Sequence, residues 1–456
     1  MKNSLSQHLY IFYSLVFIIY IINVFVGSEK INYIVGLLAI LMLGVSFTKA
    51  SRLFQILASA FLFIGGFFYF QSGESIVALP SVLTSNMLLL VLLAMLPWMN
   101  SVVRSGGFDR HLNELMKVNV SDLGILYVRS STTILILGAF LNLSAATISQ
   151  DILKKNLSYM NKKLRDSFIS MSTLRGFTIA LLWSPLEILL ATSIFVTDVT
   201  YASVLPWLLL IALVTFILDS LWGRFHFKKY SYVNQGIDGT EKPGTMGLKK
   251  KIAHLGMALV LFLALVIIIG NIFKLDFILT VAMLIFPFAL VWSMFMKRTR
   301  RFLLIGWDNW KQKTNTMQNF IILFISLSLF SHSIGNTTFL EYIQQPLMNL
   351  SEHPLLVFFF IQLLFIGLSM FGIHPIATIG ILTSLLSSLL TIYNPISIAI
   401  VMITSSVATL AVGTYGLVVT LTAVNLDLNP YRITFGNLIY ALIFGSVGSI
   451  TAFLLL

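Results

Sequence analysis

The chain has no cysteine, which excludes a disulfide framework, a thiol nucleophile and a cysteine metal site. Charge is also scarce. Only 10% of the residues are Asp, Glu, Lys or Arg, against about 25% in soluble domains. The 7 histidines form no close ligand series, so no catalytic metal is expected. HExxH and paired catalytic aspartates are missing, and the glycines of Arg104-Ser105-Gly106-Gly107-Phe108-Asp109-Arg110 have the wrong spacing for a phosphate-binding loop. The apolar runs lack the period-two alternation of barrel strands. No soluble segment is large enough for an ATP-binding cassette. An enzyme is therefore not expected, nor is a bound cofactor.

What the chain has is hydrophobicity. Of its 456 residues 57% are hydrophobic, and the mean hydropathy is +0.92. Apolar runs long enough to cross about 30 Å of hydrocarbon recur from end to end, which predicts an all-α polytopic membrane protein. The formal charge of +12 sits mainly in short loops between those runs, the pattern of cytoplasmic loops rather than of a nucleic-acid surface. Lys49 and Arg52 mark one such loop and place the N-terminus in the cytosol. The first run, Leu9–Val26, lacks a small-residue cleavage signal and reads as a retained helix. A bacterial-type inner membrane is the expected location, with membrane lipids around the 37 phenylalanines.

Residues 121–165 organise the rest. An apolar run, 125–141, meets the polar break Asn142-Leu143-Ser144-Ala145-Ala146-Thr147, and the following mixed segment ends in Lys154, Lys155, Lys162, Lys163 and Arg165. A simple crossing from the basic 104–117 side would put that second cluster outside, whereas a hairpin turning back at the break keeps both flanks in the cytosol. The segment reads as a re-entrant hairpin, whose non-helical tip is tolerated only against protein or a water-filled cavity. Residues 171–195 form a helix interrupted at Trp183-Ser184-Pro185, where proline removes a donor and clashes with the preceding turn.

The same order recurs with opposite orientation. Residues 355–370 reach Phe371-Gly372-Ile373-His374-Pro375-Ile376 before 377–390, and 396–412 reaches Gly413-Thr414-Tyr415-Gly416. A final span covers 435–455. Two re-entrant hairpins, each followed by an interrupted helix and a last span, predict inverted repeats with a site near the membrane midplane. The expected divisions are an N-terminal membrane scaffold, 1–81; a first transporter repeat, 82–224; a cytoplasmic linker, 225–252; a scaffold helix pair with a basic loop, 253–317; and a second, inverted repeat, 318–456.

Candidate binding residues sit at those breaks. The amide and hydroxyl oxygens of Asn142, Ser144 and Thr147 can replace part of an ion's hydration, while exposed hairpin amides can receive an anion; the same residue types also cap helices. Ser184 either lines the site or satisfies backbone freed by Pro185. Glu187, ionisable within an apolar run, is costly unless paired or hydrated and so reads as functional. It either carries a proton or pairs with Arg129 or Arg175. Arg129 is otherwise a substrate counter-charge, or snorkels to the surface. His374 can donate to substrate or exchange a proton near neutral pH, or hold the Pro375 turn. Thr378 and Thr414 complete the set.

These residues carry a resemblance. Arg104-Ser105-Gly106-Gly107-Phe108-Asp109, followed by Gly138-Ala139-Phe140-Leu141-Asn142-Leu143-Ser144-Ala145-Ala146-Thr147, resembles the ion transporter superfamily of arsenite permeases, divalent-anion/sodium symporters and NhaB-type exchangers. Gly372-Ile373-His374-Pro375 occupies the second tip, and Ser184-Pro185 and Thr414 lie at that superfamily's glycine-threonine-proline breaks. Leu143 and Ser144 stand where the permeases have asparagine and aspartate. The resemblance implies alternating access and a homodimer contacting through the added N-terminal helices.

The function expected is an ion-coupled secondary transporter of a small organic or inorganic anion. The coupling ion is Na+ or H+, with H+ favoured by the titratable Glu187 and His374. The alternatives are a cation/proton exchanger and a lipid-handling protein acting on a polyprenyl-linked envelope precursor.

Overall fold

The structure, a computed structural model, describes residues 8–107, 120–232, 245–335, 345 and 350–456. The side chains of Phe140, Ser144, Ser384, Ser387 and residues 245–252, 334 and 335 fall outside that set. The described chain is all-α, apart from one isolated bridge between Asp122 and Ser231. Nine helical stretches within it are long and apolar enough to cross a membrane.

Three helices come first: α1 (Leu9–Val26), α2 (Glu29–Phe47) and α3 (Arg52–Gln71). Gly27 at φ 67° ends α1, and the Ser28 hydroxyl accepts from the Ile31 amide to start α2, so the turn between them has a cap at each side. Helix α4 (Met87–Gly106) follows. It runs through Arg104 and ends at Gly107, φ 73°. The rest of the basic 104–117 segment, residues 108–117, lies outside the described residues.

The central elements are α5 (Leu123–Leu141), α6 (Leu143–Asn156), α7 (Lys162–Trp183), α8 (Ile188–Thr197) and α9 (Tyr201–Phe227). The last elements of the chain are α13 (Gln318–Gly335), α14 (Pro354–Met370), α15 (Pro375–Leu389), α16 (Pro395–Ala408), α17 (Leu417–Leu426) and α18 (Pro430–Phe453). Both expected interruptions are present, between α7 and α8 and between α16 and α17. Every residue from 397 to 408 is buried, as is every residue of α7 from 172 to 182. Such all-round burial explains why these helices are apolar without an amphipathic stripe. The half-helices pack crosswise: α8 lies against α16, and α17 against α6.

Small residues let the bundle close. A Cβ on Gly176 of α7 would come within 2.9 Å of the Ser131 carbonyl oxygen on α5, and one on Gly65 of α3 within 2.9 Å of the Phe330 backbone on α13. Close backbone approach of this kind replaces the hydrophobic driving force that lipid removes.

Helix α9 continues to Phe227 and α10 (Thr245–Phe273) begins before the lysines at 249–251, so both reach into the expected linker, 225–252. The basic loop within 253–317 contains a 17-residue helix, α12 (Thr299–Asn315), after α11 (Phe277–Phe295). Its buried Phe302, Gly306 and Thr314 lie four and eight residues apart and, with the partly buried Trp310 between them, form one stripe. That stripe meets α4, where Trp98 contacts the Phe302 ring at 5.6 Å and Asn309 donates to Ser101 at 3.0 Å. Trp310 joins the same cluster, whereas Trp307 is half exposed.

Candidate functional site

Helix α5 ends because Asn142 takes φ 46°, ψ −134°, a positive-φ conformation that asparagine tolerates better than most residues. Its amide bonds the Gly138 carbonyl at 2.9 Å, its carbonyl receives the Ala145 amide at 2.9 Å, and α6 starts at once. A single residue therefore separates the two helices.

The second break is tied to the first. The Ser184 hydroxyl donates to the Ala139 carbonyl at 2.8 Å and accepts from the Leu186 amide at 3.3 Å, and Tyr201 covers the Trp183 carbonyl at 2.6 Å. Ser184 is fully buried in backbone bonding. Glu187 then caps α8, accepting from the Leu189 amide at 3.3 Å, and its carboxyl group is hydrogen-bonded by Asn142.

The other two breaks are built alike. Gly372 adopts φ 93°, and a Cβ there would press on the Tyr415 ring at 3.1 Å. The Nδ1 atom of His374 accepts from the Ile376 amide at 3.3 Å, capping α15, while its ring lies 5.7 Å from Phe54 and 6.0 Å from Phe320. Between α16 and α17 the chain passes through Gly413, whose amide bonds Thr409 at 2.6 Å, and Gly416, whose amide bonds Gly413 at 2.8 Å.

All four breaks meet at a cavity of about 170 Å³. Its wall includes Asn142, Glu187, His374 and Gly416. The helices α6, α8, α15 and α17 each begin on that wall, so four N-termini converge on one space. Side chains cap only α8 and α15; α6 and α17 have none. The remaining surface is mostly apolar, with Leu93, Phe177 and Phe320 among its members. Among the described residues of the wall, Glu187 and His374 are the ionisable groups. N-terminal amides with a polar cluster between apolar walls form a receptive environment for an anion with an apolar body.

The other candidates lie apart from the wall. Thr414 bonds Thr434 at 3.1 Å, and Thr147 bonds the Leu143 carbonyl at 3.4 Å. Thr378, fully buried one turn beyond His374, leaves its hydroxyl without a partner among the described residues. The Ser144 side chain lies outside them. Arg129 precedes Asn142 by 13 positions in α5, about 20 Å of helix. Arg175 does not pair with Glu187. It bonds Asp219 and Asn437, each at 3.0 Å, and stacks 4.3 Å over Trp222. Among the described residues no three metal-ligating side chains come together.

Sequence reasoning missed Gln150, which bonds Thr173 and Thr422, and Asp219, the acid held by Arg175 and Tyr127. Asp219 carried a signal, since it interrupts an apolar run. Gln150 carried none, because a glutamine beside Asp151 and Lys154 reads as ordinary helix surface.

No family profile and no curated protein matches the chain. The solved structures that match include the crystal structure of the YdaH transporter of Alcanivorax borkumensis, described as having an unusual topology. It shares 13% identity with a TM-score of 0.54, over 80% of this chain and 84% of that one. At that identity the likeness is one of fold: a multi-spanning helical membrane fold distantly similar to that of a bacterial transporter.

Proposed function

We propose that this chain is an ion-coupled secondary transporter of an anion, working by alternating access. The observation that carries the reading is the convergence of four helix N-termini on one cavity with Glu187 and His374 in its wall. Each N-terminus acts as roughly half an elementary positive charge. Four of them outweigh one carboxylate, so the cavity attracts an anion even when Glu187 is ionised. The apolar wall supports an organic anion over a bare oxyanion, because burying an inorganic ion there would leave its outer oxygens without donors.

In this reading residues 82–224 and 318–456 are inverted repeats, and their helix breaks are the tips and hinges of the transport unit. Residues 1–81 and 253–317 form the scaffold, joined through the linker at 225–252, with the N-terminus in the cytosol. The repeated order of helical hairpin, interrupted helix and last span supports it, as does the likeness in fold. Asn142 and His374 contact the substrate, and Ser144 lies at the first tip. Ser184, Thr147, Thr378 and Thr414 support the breaks around it. Glu187 couples transport to H+, favoured over Na+ because a cavity with so few oxygen ligands supplies a sodium ion poorly.

Glu187 also favours a second reading, a cation/proton exchanger that needs no organic substrate. Flux in proteoliposomes separates the two. A panel of carboxylates, arsenite and simple cations is tested with sodium and proton gradients set independently. Substrate-specific uptake driven by one gradient and lost in Glu187→Gln is expected. Cation exchange without an anionic substrate selects the second reading, and no flux from folded protein overturns both.

A further inference from the structure

An apolar groove of about 330 Å³ runs between α10 and α11, lined by Met257, Leu261 and Leu265 from one helix and Leu284, Phe288 and Phe295 from the other. It lies at the edge of the bundle. Helix α10 packs chiefly on α11, and only 28% of its apolar window is buried among the described residues. Ala258 and Pro287, also on the wall, leave space that bulkier side chains would fill.

One end of the groove turns polar. There Trp292 donates to His254 Nε2 at 2.8 Å, and both residues belong to the wall. Phe295, 80% exposed, is followed two residues later by Lys297, whose φ of 55° turns the chain towards Arg298, Arg300 and Arg301. Adjacent Cα atoms are about 3.8 Å apart, so the first of these cations begins within about 8 Å of the groove wall. None of the four forms an ion pair among the described residues.

Two occupants suit an apolar membrane edge: a second copy of the chain or a lipid. A two-fold axis along the membrane normal would set two of these cationic corners at the same depth, with like charges adjacent. A helix, about 10 Å across with its side chains, needs more room than a groove of about 330 Å³ offers. An acyl chain fits it lengthwise. An amphipathic tryptophan and a cluster of arginines beside it form the environment of an anionic headgroup. We infer that this groove binds an anionic glycerophospholipid, with one acyl chain between α10 and α11 and the phosphate at the Lys297–Arg301 corner.

The test uses the full chain, purified and delipidated in neutral detergent, then mixed with phosphatidylglycerol or phosphatidylcholine. Native mass spectrometry counts bound lipid, and thermal midpoints report folding. Wild type is compared with Leu261→Trp, which fills the groove, and with Arg298→Glu combined with Arg300→Glu. Each cation near an anionic headgroup contributes about fivefold in affinity. The double variant is therefore expected to bind phosphatidylglycerol at least about 25-fold more weakly, with phosphatidylcholine binding unchanged, and Leu261→Trp is expected to lose the retained lipid. Equal retention of both lipids by wild type overturns the inference, as does undiminished phosphatidylglycerol binding in both variants. A lipid-independent dimer dissociated by Leu261→Trp overturns it in favour of a second copy.

Discussion

Gln150 on α6 and Thr422 on α17 lie 272 residues apart in the chain and meet at 2.8 Å. The same amide donates to Thr173 on α7 at 3.2 Å, and its oxygen accepts from Asn425 at 3.3 Å. One side chain thus joins the helix beyond the first break to both interrupted helices. Both threonine hydroxyls also bond their own helix backbone, so neither is stranded when the amide is lost. Gln150→Leu is therefore expected to cost about 1–2 kcal/mol rather than unfold the protein. With Thr422→Val, a double-mutant cycle in thermal unfolding is expected to return a coupling of at least about 0.5 kcal/mol. A strictly additive cycle means that the contact carries no energy.

The Arg175–Asp219 pair makes a stronger demand. Both residues are 5% exposed, and Tyr127 donates to the carboxylate at 2.9 Å while Asn437 and the Gly436 carbonyl accept from two further guanidinium N–H groups. Asp219→Leu leaves a buried guanidinium uncompensated and is expected to cost about 3–5 kcal/mol. Combined with Arg175→Met, the loss is expected to shrink by more than half, because two apolar side chains need no pairing. Thermal midpoints of the two variants decide the matter; equal destabilisation would mean that shape, not charge, fixes this contact.

These two contacts mark the limit of what the sequence disclosed. The spans were legible because hydrocarbon demands long apolar runs, and the breaks at Asn142, Ser184-Pro185, His374-Pro375 and Gly413 to Gly416 were legible because glycine, proline and polar residues interrupt them. Helix ends were not. Helices α4 and α9 continue past their apolar runs through Arg104 and Arg224, since backbone hydrogen bonding stops only at a cap. Helix α12 was missed because five charged residues, Arg300, Arg301, Asp308, Lys311 and Lys313, are spread among its apolar ones. The partners of Gln150 and Arg175 lie far along the chain, and local pattern carries no record of them. At the site, Asn142, Glu187 and His374 share one wall, although nothing in their separate motifs says that the breaks converge.

Asp122 gives a pH signature outside the membrane. Burial alone would raise its carboxyl, but the Ile125 amide and the Arg224 guanidinium outweigh that and hold it below its ordinary value of 3.8. A depressed folded-state value stabilises the fold above the ordinary value and is lost as pH falls through the folded one. Asp122→Asn keeps a good helix cap but loses the charge. Wild type is expected to exceed this variant by up to about 1 kcal/mol at pH 7, with the gap closing below pH 3.8. A gap independent of pH would assign the effect to cap geometry.

Glu187 poses the remaining question, whether its carboxylate holds the helix or couples the ion. As a cap it needs only an oxygen to accept the Leu189 amide, which glutamine supplies. Glu187→Gln is therefore expected to change stability by less than about 1 kcal/mol, whereas Glu187→Ala loses the cap and about 1 kcal/mol. The functional contrast runs the other way. Glutamine resembles the protonated acid, so four helix N-termini remain to attract the anion and binding is expected to persist or tighten. Exchange of substrate for substrate, which requires no net proton movement, is expected to continue. Uptake driven by a pH gradient is expected to vanish. Binding measured by calorimetry, beside exchange and gradient-driven uptake in the same proteoliposomes, separates these outcomes. If binding and exchange disappear together in a folded Glu187→Gln protein, the carboxylate holds the site open and coupling resides elsewhere.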